Sequence, residues 1–334
     1  MIAQDRSGYF VSLVFIFLET ALTKLVVVVC TMRRPEMLKR CLESLAALEK
    51  PDGCSVEIVV VENDVEPRSL AVVEGIRQSR DVQLTYMREP QGGIPFARNA
   101  GIRGALALDA DWIALIDDDE TAGPDWLKTL YATCKDFSAD VVSGPVKRDY
   151  EISPPKWWPG PSDRSWPTGH ELKGAHTNNI LMKAQLAADT GPILRFDERL
   201  LAGSEDVEFF ERAAHIGARI VWADGASVNE AVPISRLQPM RLLSREYMVA
   251  TSQAQVSRIQ RGALIGFVGI LPKALRRTVG GAAMLLVAPF AWLIKRSAGE
   301  RLFFVGTLKI AKAAGNLLGG FWIRSRYYVS TDGK

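Results

Sequence analysis

The chain has 334 residues, 48% of them hydrophobic and 24% charged. That length suits one large domain or two ordinary ones, and the apolar share excludes a chain that is disordered throughout. No self-similar period is present, which excludes collagen-like and repeat proteins. The four cysteines include no C-x-x-C pair and have no nearby histidine. We therefore expect neither a zinc site nor a disulfide framework, and a reducing compartment fits best.

Positive and negative charge are divided unevenly along the chain. Residues 241–334 carry 15 lysines and arginines but only 3 acids, a net charge of +12, which leaves −9 for the first 240 residues. Such a division indicates an acidic catalytic part and a basic part that meets a polyanion. The basic part also contains long apolar runs such as 280–294, which membranes require and nucleic-acid surfaces do not. We therefore expect a membrane partner and no nucleic acid.

Residues 1–23 are predicted to be a peripheral N-terminal extension. They contain an apolar run at 9–18, which is about half the roughly 20 residues that a spanning helix needs. No small-residue cleavage site follows the run, so it is not typical of a secretory signal either. We assign it no catalytic role.

Strands and helices alternate through the next hundred residues, which is typical of an α/β sheet with parallel strands. Runs rich in β-branched residues predict buried strands, and apolar residues at helical spacing predict the helices between them. In chain order we expect a strand at 25–30, a helix at 34–48, a strand at 56–61, a helix at 70–79, a strand at 83–87, a helix at 95–109 and a strand at 112–116.

Polar clusters follow three of the predicted strands at the point where each strand ends. They are Thr31, the run Glu62-Asn63-Asp64, and the acids at 117–120. In open α/β sheets, ligands bind beyond the carboxyl ends of the strands. The three clusters are therefore expected to line one crevice.

The four acids Asp117, Asp118, Asp119 and Glu120 directly follow an apolar run. Adjacent carboxylates repel each other, and each is costly to keep charged beside a buried strand. A divalent cation removes that cost, and carboxylate oxygens suit Mg²⁺ or Mn²⁺, ions that commonly bridge substrate phosphates. A solvated turn before a helix would explain the acids without a metal, but the buried strand ahead of them favours the metal site.

Two further motifs can carry chemistry. Glu205 and Asp206 stand at the start of a predicted helix, where backbone N–H groups and the helix dipole hold a carboxylate. A plain helix cap would explain these two acids equally. The stretch 92–99 contains two glycines and Arg98, and its backbone can approach a phosphate, although a turn into a helix explains the same residues.

Residues 151–169 are rich in proline and tryptophan and include Trp157 and Trp158. A long loop within a compact domain is usually a lid or a binding loop. We therefore expect these two tryptophans on the acceptor side of the site. His170 and His176 follow the loop, and either imidazole can contact a phosphate or the acceptor.

Together the motifs resemble those of one family. In chain order they are Val27-Val-Val-Cys-Thr31 with Arg34-Pro35, Glu62-Asn63-Asp64, Ala97-Arg98-Asn99-Ala-Gly-Ile102, Asp117-Asp-Asp119, and Phe196-Asp-Glu with Gly203-Ser-Glu205-Asp206. Over roughly residues 24–236 the chain resembles the family 2 glycosyltransferases, and among them the bacterial exopolysaccharide transferases of the succinoglycan-synthesis type. The resemblance implies the GT-A fold, a Rossmann-like mixed sheet flanked by helices.

The resemblance also implies an inverting transfer of a sugar from a nucleotide donor, expected to be a UDP-sugar. Asp117 and Asp119 match the metal-binding positions, with Asp119 as the direct ligand of Mn²⁺ or Mg²⁺, and Asp206 matches the general base. The residues expected to bind the donor are Thr31, Glu62, Asn63, Asp64, Arg98, Asp117 and Asp118. The acceptor-side candidates are Glu205, Trp157, Trp158 and Arg236. The diphosphate leaving group needs its charge neutralised, and the acceptor hydroxyl must lose a proton, so the chemistry agrees with these roles.

Some positions depart from the family pattern or have a second explanation. Asn63 stands where the family often has aspartate, so its amide can hydrogen-bond a base but carries no charge. Because 117–120 is wholly acidic, spacing alone does not decide which acid meets the metal. Glu230 and Arg236 also match a family pattern, and a structural salt bridge would explain them as well.

We place the domain boundary at 240, which gives a glycosyltransferase domain at 24–240 and a helical region at 241–334. Within the helical region, about 17 apolar residues lie between two basic pairs, 276–277 and 295–296, at the lower limit for a span. Basic residues on both sides of a single span conflict with the positive-inside rule. A monotopic or re-entrant arrangement, which enters one face of the membrane without crossing it, is therefore favoured. We expect the cytoplasmic face of the inner membrane and a lipid-linked glycan acceptor; a soluble helical cap on the sheet is the alternative.

Two other functions fit parts of the sequence. A nucleotidyltransferase uses a similar acidic metal site, but it usually carries a glycine-rich phosphate loop after the first strand, where this chain has Cys30-Thr-Met-Arg-Arg-Pro35. A non-catalytic membrane scaffold would not need Asp117, Asp119 and Asp206. Both are less favoured than the transferase.

Overall fold

The computed structural model describes residues 22–158, 160, 165–201 and 203–322. The apolar run at 9–18 of the predicted N-terminal extension lies outside these residues. Thr23, which the sequence assigns to that extension, already begins the first strand.

Seven strands form one mixed sheet: β1 Thr23–Thr31, β2 Cys54–Glu62, β3 Gln83–Arg88, β4 Trp112–Asp117, β6 Val141–Ser143, β8 Asn179–Lys183 and β9 Ile220–Trp222. Neighbouring strands follow the order β3-β2-β1-β4-β8-β6-β9. The four strands from β3 to β4 are mutually parallel, whereas β8 runs antiparallel to both of its neighbours. The carboxyl ends of β1, β2 and β4 therefore lie at one edge, as the expected crevice requires.

Helices cover both faces of this sheet. Those of the sheet-containing part are α1 Pro35–Leu45, α2 Leu70–Ser79, α3 Ile94–Ala107, α4 Trp126–Asp136 and α5 Glu205–His215. The centre of β1 shows why: Leu25, Val27 and Val29 pack in a core with apolar residues of α1, α2 and α4, whereas Val26 and Val28 pack in a second core with α3 and α5. Each such side chain, when fully buried, contributes about 1.5–3 kcal/mol.

The predicted elements of the first half are confirmed, with small shifts at their ends. The first helix, expected at 34–48, begins at Pro35 and ends at Leu45, because proline is favoured in the first turn of a helix. The helix expected at 95–109 spans Ile94–Ala107. The short strands after 117 carry no long apolar run, and the sequence does not predict them.

A second, three-stranded sheet lies beside the acidic end of β4. It consists of β5 Glu120–Ala122, β10 Val228–Val232 and β7 Val146–Tyr150, with β10 in the middle. The backbone N–H of Ala231 donates to the carbonyl of Asp119 at 3.0 Å. This sheet therefore brings Glu230 and the residues after β10 towards the acids at 117–120.

Three long helices form the C-terminal part of the described chain. They are α6 Pro239–Arg261, α7 Ala263–Ile294 and α8 Arg296–Gly320. The helices approach closely at small residues: a Cβ added at Gly315 would lie 2.2 Å from the carbonyl oxygen of Tyr247. Asn316 is almost fully buried; its amide donates to the carbonyl of Ala250 at 2.9 Å, and its oxygen accepts from Arg277 at 2.6 Å. Close contacts at glycine and an interhelical polar bond are typical of helices packed in membranes.

The first of these helices also contacts the sheet-containing part. Ser252 of α6 is fully buried, and its hydroxyl lies 2.7 Å from that of Ser204, the residue before α5. Leu242 of α6 and Leu308 of α8 pack in one cluster with Trp158. The helical region therefore adjoins the segment that leads into Glu205 and Asp206.

A face of α7 is apolar and exposed along its whole length. Eight of its large apolar side chains recur at intervals of three, four or seven residues, so they lie on one side of the helix. We call this set the apolar stripe: Leu264, Val268, Leu271, Leu275, Val279, Leu286, Phe290 and Leu293. Among the described residues, α7 and α8 have the length and composition to cross a membrane. Only 11% of the most apolar 18-residue window of α7 is buried, so α7 is not the core helix of a soluble fold.

Candidate active site

Three strand ends meet at the edge of the large sheet, as predicted. At the end of β1, the hydroxyl of Thr31 donates to a carboxylate oxygen of Asp118, beyond the end of β4, at 2.7 Å. The carbonyl of Thr31 accepts the backbone N–H of Asn63, beyond the end of β2, at 2.8 Å. The structure therefore brings residues from all three predicted clusters into direct contact.

Glu62 is the most buried residue of the β2 cluster. Its carboxylate accepts the backbone N–H of Ser69 at 3.0–3.1 Å, the hydroxyl of Ser69 at 2.9 Å and the hydroxyl of Tyr86 at 2.6 Å. These bonds fix the start of α2, because the first N–H groups of a helix lack partners within it. The direct contact of Glu62 with a donor stays a prediction.

Asn63 links the end of β2 to the glycines before α3. Its amide nitrogen donates to the carbonyls of Glu89 at 2.9 Å and Gln91 at 2.7 Å, and its amide oxygen accepts the N–H of Gly93 at 2.8 Å. An ionised aspartate has no donor for those two carbonyls. The structure thus gives a physical reason for asparagine at this position, and its contact with a nucleotide base stays a prediction.

Asp64 forms an ion pair at the outer side of the cluster. Its carboxylate accepts from Arg33 at 2.6 Å, and Arg68 lies 3.4 Å away. The hydrogen bond from Arg33 lowers the pKa of Asp64 to about 2, against the opposing effect of burial. Asp64 is therefore ionised at every physiological pH.

Arginine side chains pair with the acids at the end of β4. Asp118 accepts from Arg34 at 3.2 Å, and Asp119 pairs both with Arg34 at 3.5 Å and with Arg236. Burial raises the pKa of Asp118 to about 6 and also raises the pKa of Asp117, in each case against a neighbouring arginine. Negative charge at this strand end is therefore only partly compensated by the protein.

A divalent cation fits the chemistry of these donors. Asp117 has the most open carboxylate, with 41% of its side chain exposed, whereas the side chain of Asp119 is 8% exposed and held by two guanidinium groups. Among the described residues, no three histidine, cysteine or acidic side chains come together to hold an ion by themselves. Mg²⁺ and similar ions are commonly bound by one or two carboxylates together with substrate phosphates, which is what Asp117 and Asp119 can offer.

Arg98 connects the acids of β4 with those of α5. Its guanidinium is buried, pairs with Glu205 and lies 3.5 Å from Asp117. Burial raises the pKa of Glu205 to about 7 against the charge of Arg98, and one carboxylate oxygen of Glu205 has no hydrogen-bond partner in the described part of the chain. Arg98 therefore lies between the predicted metal ligands and the predicted base.

Asp206 stands in the first turn of α5 beside His176, one of the two histidines that follow the loop rich in proline and tryptophan. One of its carboxylate oxygens accepts the N–H of Val207 at 2.7 Å, and the other lies 3.0 Å from Nδ1 of His176. Burial by itself would raise the pKa of Asp206, but His176 and Arg98 outweigh that effect and hold the pKa below its usual range. Asp206 is therefore an ionised carboxylate with a histidine partner.

The remaining acceptor-side candidates divide into two groups. Arg236 reaches the acids, since it pairs with Asp119 and with Glu230 at 3.2 Å. Trp157 instead stacks on Phe304 of α8, with ring centres 4.2 Å apart. Trp158 packs against Tyr150 and the C-terminal helices, so the two tryptophans join the predicted binding loop to those helices.

The seven-stranded mixed sheet flanked by helices is that of the GT-A fold. In agreement, the fold is shared with a solved mannosyltransferase of Pyrobaculum calidifontis, PcManGT, whose structure contains GDP-Man and Mn²⁺: the TM-score is 0.58 at 16% identity, covering 89% of this chain and 88% of that one. The profile described as "Glycosyl transferase family 2" matches residues 26–192. The chain therefore belongs to glycosyl transferase family 2 and is a glycosyltransferase.

Two named relatives come from different organisms. The chain is 34% identical to the succinoglycan biosynthesis protein ExoM of Rhizobium meliloti over 224 residues, which are 66% of this chain and 70% of that protein. It is 30% identical to a glucosyl-dolichyl phosphate glucuronosyltransferase of Haloferax volcanii over 182 residues, which cover 50% of this chain and 55% of that protein. The chain thus spans about half the length of the second relative.

Proposed function

We propose that this chain transfers a sugar, with inversion, from a nucleotide-sugar donor to a lipid-linked glycan during the assembly of a cell-surface polysaccharide. One observation carries the proposal: Arg98 joins Asp117, the last residue of the parallel strand β4, to the first turn of α5, which bears Glu205 and Asp206. This arrangement suits a reaction that needs a stabilised diphosphate and a base on opposite sides of a sugar. The succinoglycan relative supports the polysaccharide as the product.

The donor is proposed to be a UDP-sugar bound along the strand ends. Thr31 and the residues 62–64 border its nucleoside, and Arg98, Asp117 and Asp118 border its diphosphate. Asp117 and Asp119 would hold Mn²⁺ or Mg²⁺, and a bound cation would neutralise the charge that develops on the leaving diphosphate. The partly compensated charge of Asp117 and Asp118 supports this assignment, because burial raises the pKa of both.

The base is proposed to be at Asp206. The acceptor hydroxyl attacks the anomeric carbon while the bond to the diphosphate breaks, and its proton passes to a base on the attacking side. Asp206 is ionised, and its partner His176 is exposed to solvent. Glu205 is ion-paired with Arg98 and almost fully buried, which favours a role for Glu205 in holding Arg98.

The helical region is proposed to seat the enzyme on the cytoplasmic face of the inner membrane without crossing it. The apolar stripe runs along the whole of α7, so a helix lying flat can bury all of it. An upright span would have to consist of the 17 apolar residues at 278–294 between the two basic pairs, which is fewer than the roughly 20 that the hydrocarbon core requires. Lys273 lies 3.3 Å from Gln253 of α6, and Arg277 donates to Asn316 of α8. Both contacts join neighbouring helices, so these two side chains are held within the helical region.

Donor binding gives the first test. The full chain, purified in detergent, is heated with UDP-, GDP- and dTDP-sugars in the presence and absence of Mn²⁺. A ligand at 100 times its dissociation constant stabilises the folded state by about 2.7 kcal/mol, so we expect a clear rise in Tm with one nucleotide sugar and only with the cation. Transfer to a membrane lipid extract then tests the acceptor. If no nucleotide sugar raises Tm, the proposal fails.

A further inference from the structure

A group of basic side chains lies where α6, α7 and α8 meet, on the flank of α7 beside the apolar stripe. Its three members on α7 are spaced three and four residues apart or adjacent, so they lie along one side of that helix. We call this group the basic cluster: Lys273, Arg276 and Arg277 of α7, with Lys309 and Lys312 of α8. Nζ of Lys309 lies 3.5 Å from the place where a Cβ would stand at Gly280, one turn along α7 from Arg276.

Polar contacts with α6 bring members of the basic cluster from different helices close together. Nζ of Lys273 lies 3.3 Å from the side-chain oxygen of Gln253, and Lys312 pairs with Glu246 at 2.6 Å. Glu246 and Gln253 are seven residues apart, so they lie on one side of α6. Lys273 of α7 and Lys312 of α8 therefore approach the same face of a third helix.

The basic cluster carries more positive charge than the protein compensates. Glu246 pairs with Lys312, and the other four members form no salt bridge with an acid in the described part of the chain. Burial and the charges of three other members, on α7 and on α8, lower the pKa of Lys273. Like charges this close repel one another unless an anion joins them. An anion with more than one negative charge is therefore the ligand that this group favours.

The surroundings of the basic cluster indicate which anion reaches it. Arg276 stands between Leu275 and Val279 of the apolar stripe along the chain, and its side chain is exposed, as is that of Lys273. With the stripe buried in one face of a bilayer, the flank of α7 lies at the level of the lipid headgroups. The anions at that level are the phosphate groups of lipids, which lysine and arginine side chains bind.

One helix separates the basic cluster from the active site. Ser252 of α6 lies 2.7 Å from Ser204, the residue before α5, whose first turn bears Asp206. The next residue of α6, Gln253, contacts Lys273 of the basic cluster. An α-helix with its side chains is about 10–12 Å across. A phosphate at the basic cluster and a sugar at Asp206 can therefore belong to one lipid-linked molecule.

We propose that the basic cluster binds a phosphate group of a membrane lipid that carries more than one negative charge, as a terminal phosphate or a diphosphate does. The inference rests on the proposed sugar transfer and names the chemical group by which the lipid-linked acceptor is held. The phosphate lies among the ends of the five side chains, and the lipid tail enters the bilayer beside the apolar stripe. The glycan extends past α6 towards Asp206.

Vesicle binding by the full chain tests this site without turnover. The probes are phosphatidylcholine vesicles that contain either phosphatidic acid, which has a terminal phosphate, or phosphatidylglycerol, whose phosphodiester carries a single charge. The two kinds of vesicle are prepared with equal surface charge, so that general attraction to an anionic surface is the same for both. We expect the wild type to bind the phosphatidic acid vesicles about tenfold more tightly, because several cations meet one doubly charged group.

The discriminating variant combines Lys273→Gln and Arg276→Gln, since both side chains are exposed. We expect it to lose the preference for phosphatidic acid. The matched control combines Lys295→Gln and Arg296→Gln, which removes the same charge from exposed side chains at the end of α7 and the start of α8. It should bind both kinds of vesicle more weakly by the same factor and keep the preference. Circular dichroism reports that both variants are folded.

Three results would overturn the inference: a wild type without the preference, a preference that survives in the Lys273→Gln, Arg276→Gln variant, or an equal loss of preference in the control. Tight binding of dissolved inorganic phosphate, lost in the same variant, would assign the basic cluster to a free anion and also overturn the lipid.

Kinetics connect this site to the reaction. With a lipid extract as the acceptor, the Lys273→Gln, Arg276→Gln variant should show a KM for the acceptor raised about tenfold, with kcat and the KM for the donor unchanged. An unchanged KM for the acceptor would overturn the role of the basic cluster in holding it. A wild type that prefers phosphatidic acid but transfers no sugar would instead overturn the proposed function and leave the phosphate site intact.

Discussion

The sheet-containing part and the helical region differ in where they place charged and apolar side chains. The first buries acids and arginines together, as Arg98 and Glu205 show, and keeps its apolar residues in two cores on the faces of the sheet. The second exposes its apolar residues along α7 and carries a net charge of +12. Each arrangement is unfavourable in water unless a partner completes it.

The contrast indicates what each region meets. Buried charge is favourable beside a charged ligand, and exposed apolar surface is favourable in apolar surroundings, which the proposed donor and membrane would provide. Trp157 stacked on Phe304 and Ser252 beside Ser204 join the two regions. Changes in one region should therefore leave the other intact unless they touch this junction.

Loss of the proposed base should have the largest effect. Asp206→Asn keeps the shape of the side chain and an oxygen that can accept the N–H of Val207, but its neutral amide cannot take a proton. We expect sugar transfer to fall about 10²–10⁴-fold, with donor binding and membrane attachment unchanged. Asp189→Asn, at a carboxylate that is 92% exposed, is the control. Near-normal transfer by Asp206→Asn would remove this residue from the reaction.

The acids beyond β4 should come next. Asp117→Asn and Asp119→Asn each remove a negative charge where the diphosphate and cation are proposed to bind, so we expect the Mn²⁺-dependent rise in Tm with the donor to be lost. Transfer should fall about 10²–10³-fold, the usual loss for one group that stabilises transition-state charge. Asp125→Asn is the control, because Asp125 stands just before α4 and its side chain makes no capping hydrogen bond. Unchanged donor affinity in both variants would contradict the site.

Changes to the apolar stripe should weaken membrane attachment without affecting donor binding. Replacing Leu286, Phe290 and Leu293 by serine removes three exposed apolar side chains, each worth about 1.5–3 kcal/mol when fully buried. We expect membrane-bound protein to decrease at least tenfold in a flotation assay, with donor binding retained. The matched control replaces Ile152, Ile193 and Ile216, exposed apolar residues of the sheet-containing part. If both triple variants float equally, the stripe is not the membrane seat.

Replacing a glycine by alanine should lower stability more where α3 packs on β1 than where α7 packs on α8. A Cβ at Gly101 of α3 would lie 2.3 Å from a methyl carbon of Val28 in β1, whereas at Gly280 of α7 the nearest atom is Nζ of Lys309 at 3.5 Å. Gly101→Ala should therefore lower the free energy of unfolding by about 1–3 kcal/mol, and Gly280→Ala should leave it nearly unchanged. Denaturant titrations measure both. A tolerated Gly101→Ala would mean that α3 can move away from β1.

The smallest expected effect is a pH dependence at Asp64. Its pKa is lowered to about 2 in the folded chain from an ordinary value of 3.8, so its stabilising effect is present above about pH 4 and is lost as the pH falls towards 2. Asp64→Asn should lower Tm at neutral pH, and the difference from the wild type should shrink across that window. A difference that stays constant down to pH 2 would contradict the ion pair with Arg33.

Local sequence patterns were enough to predict one part of the fold and of the site. The strands of the first half, and the acids at their ends, were predictable because a buried parallel strand needs a continuous apolar run and its carboxyl end is the next polar residue. The short strands β5 to β10 were not predictable, because a segment of three to five residues is too short to show a hydrophobic period. The partners of the acids were not predictable either: Arg236 is 117 residues from Asp119, and His176 is 30 from Asp206.

The sequence by itself determined the alternation of strands and helices, the acidic strand ends and the basic, apolar C-terminal region. Each of these depends on neighbouring residues and on the period of the chain. Only the tertiary structure decided that Asn63 ties β2 to the loop before α3, that Asp119 is held by two arginines while Asp117 stays open, and that a histidine stands beside Asp206. Those contacts join segments far apart in the chain, and their geometry depends on how the sheet, α5 and α6 pack together.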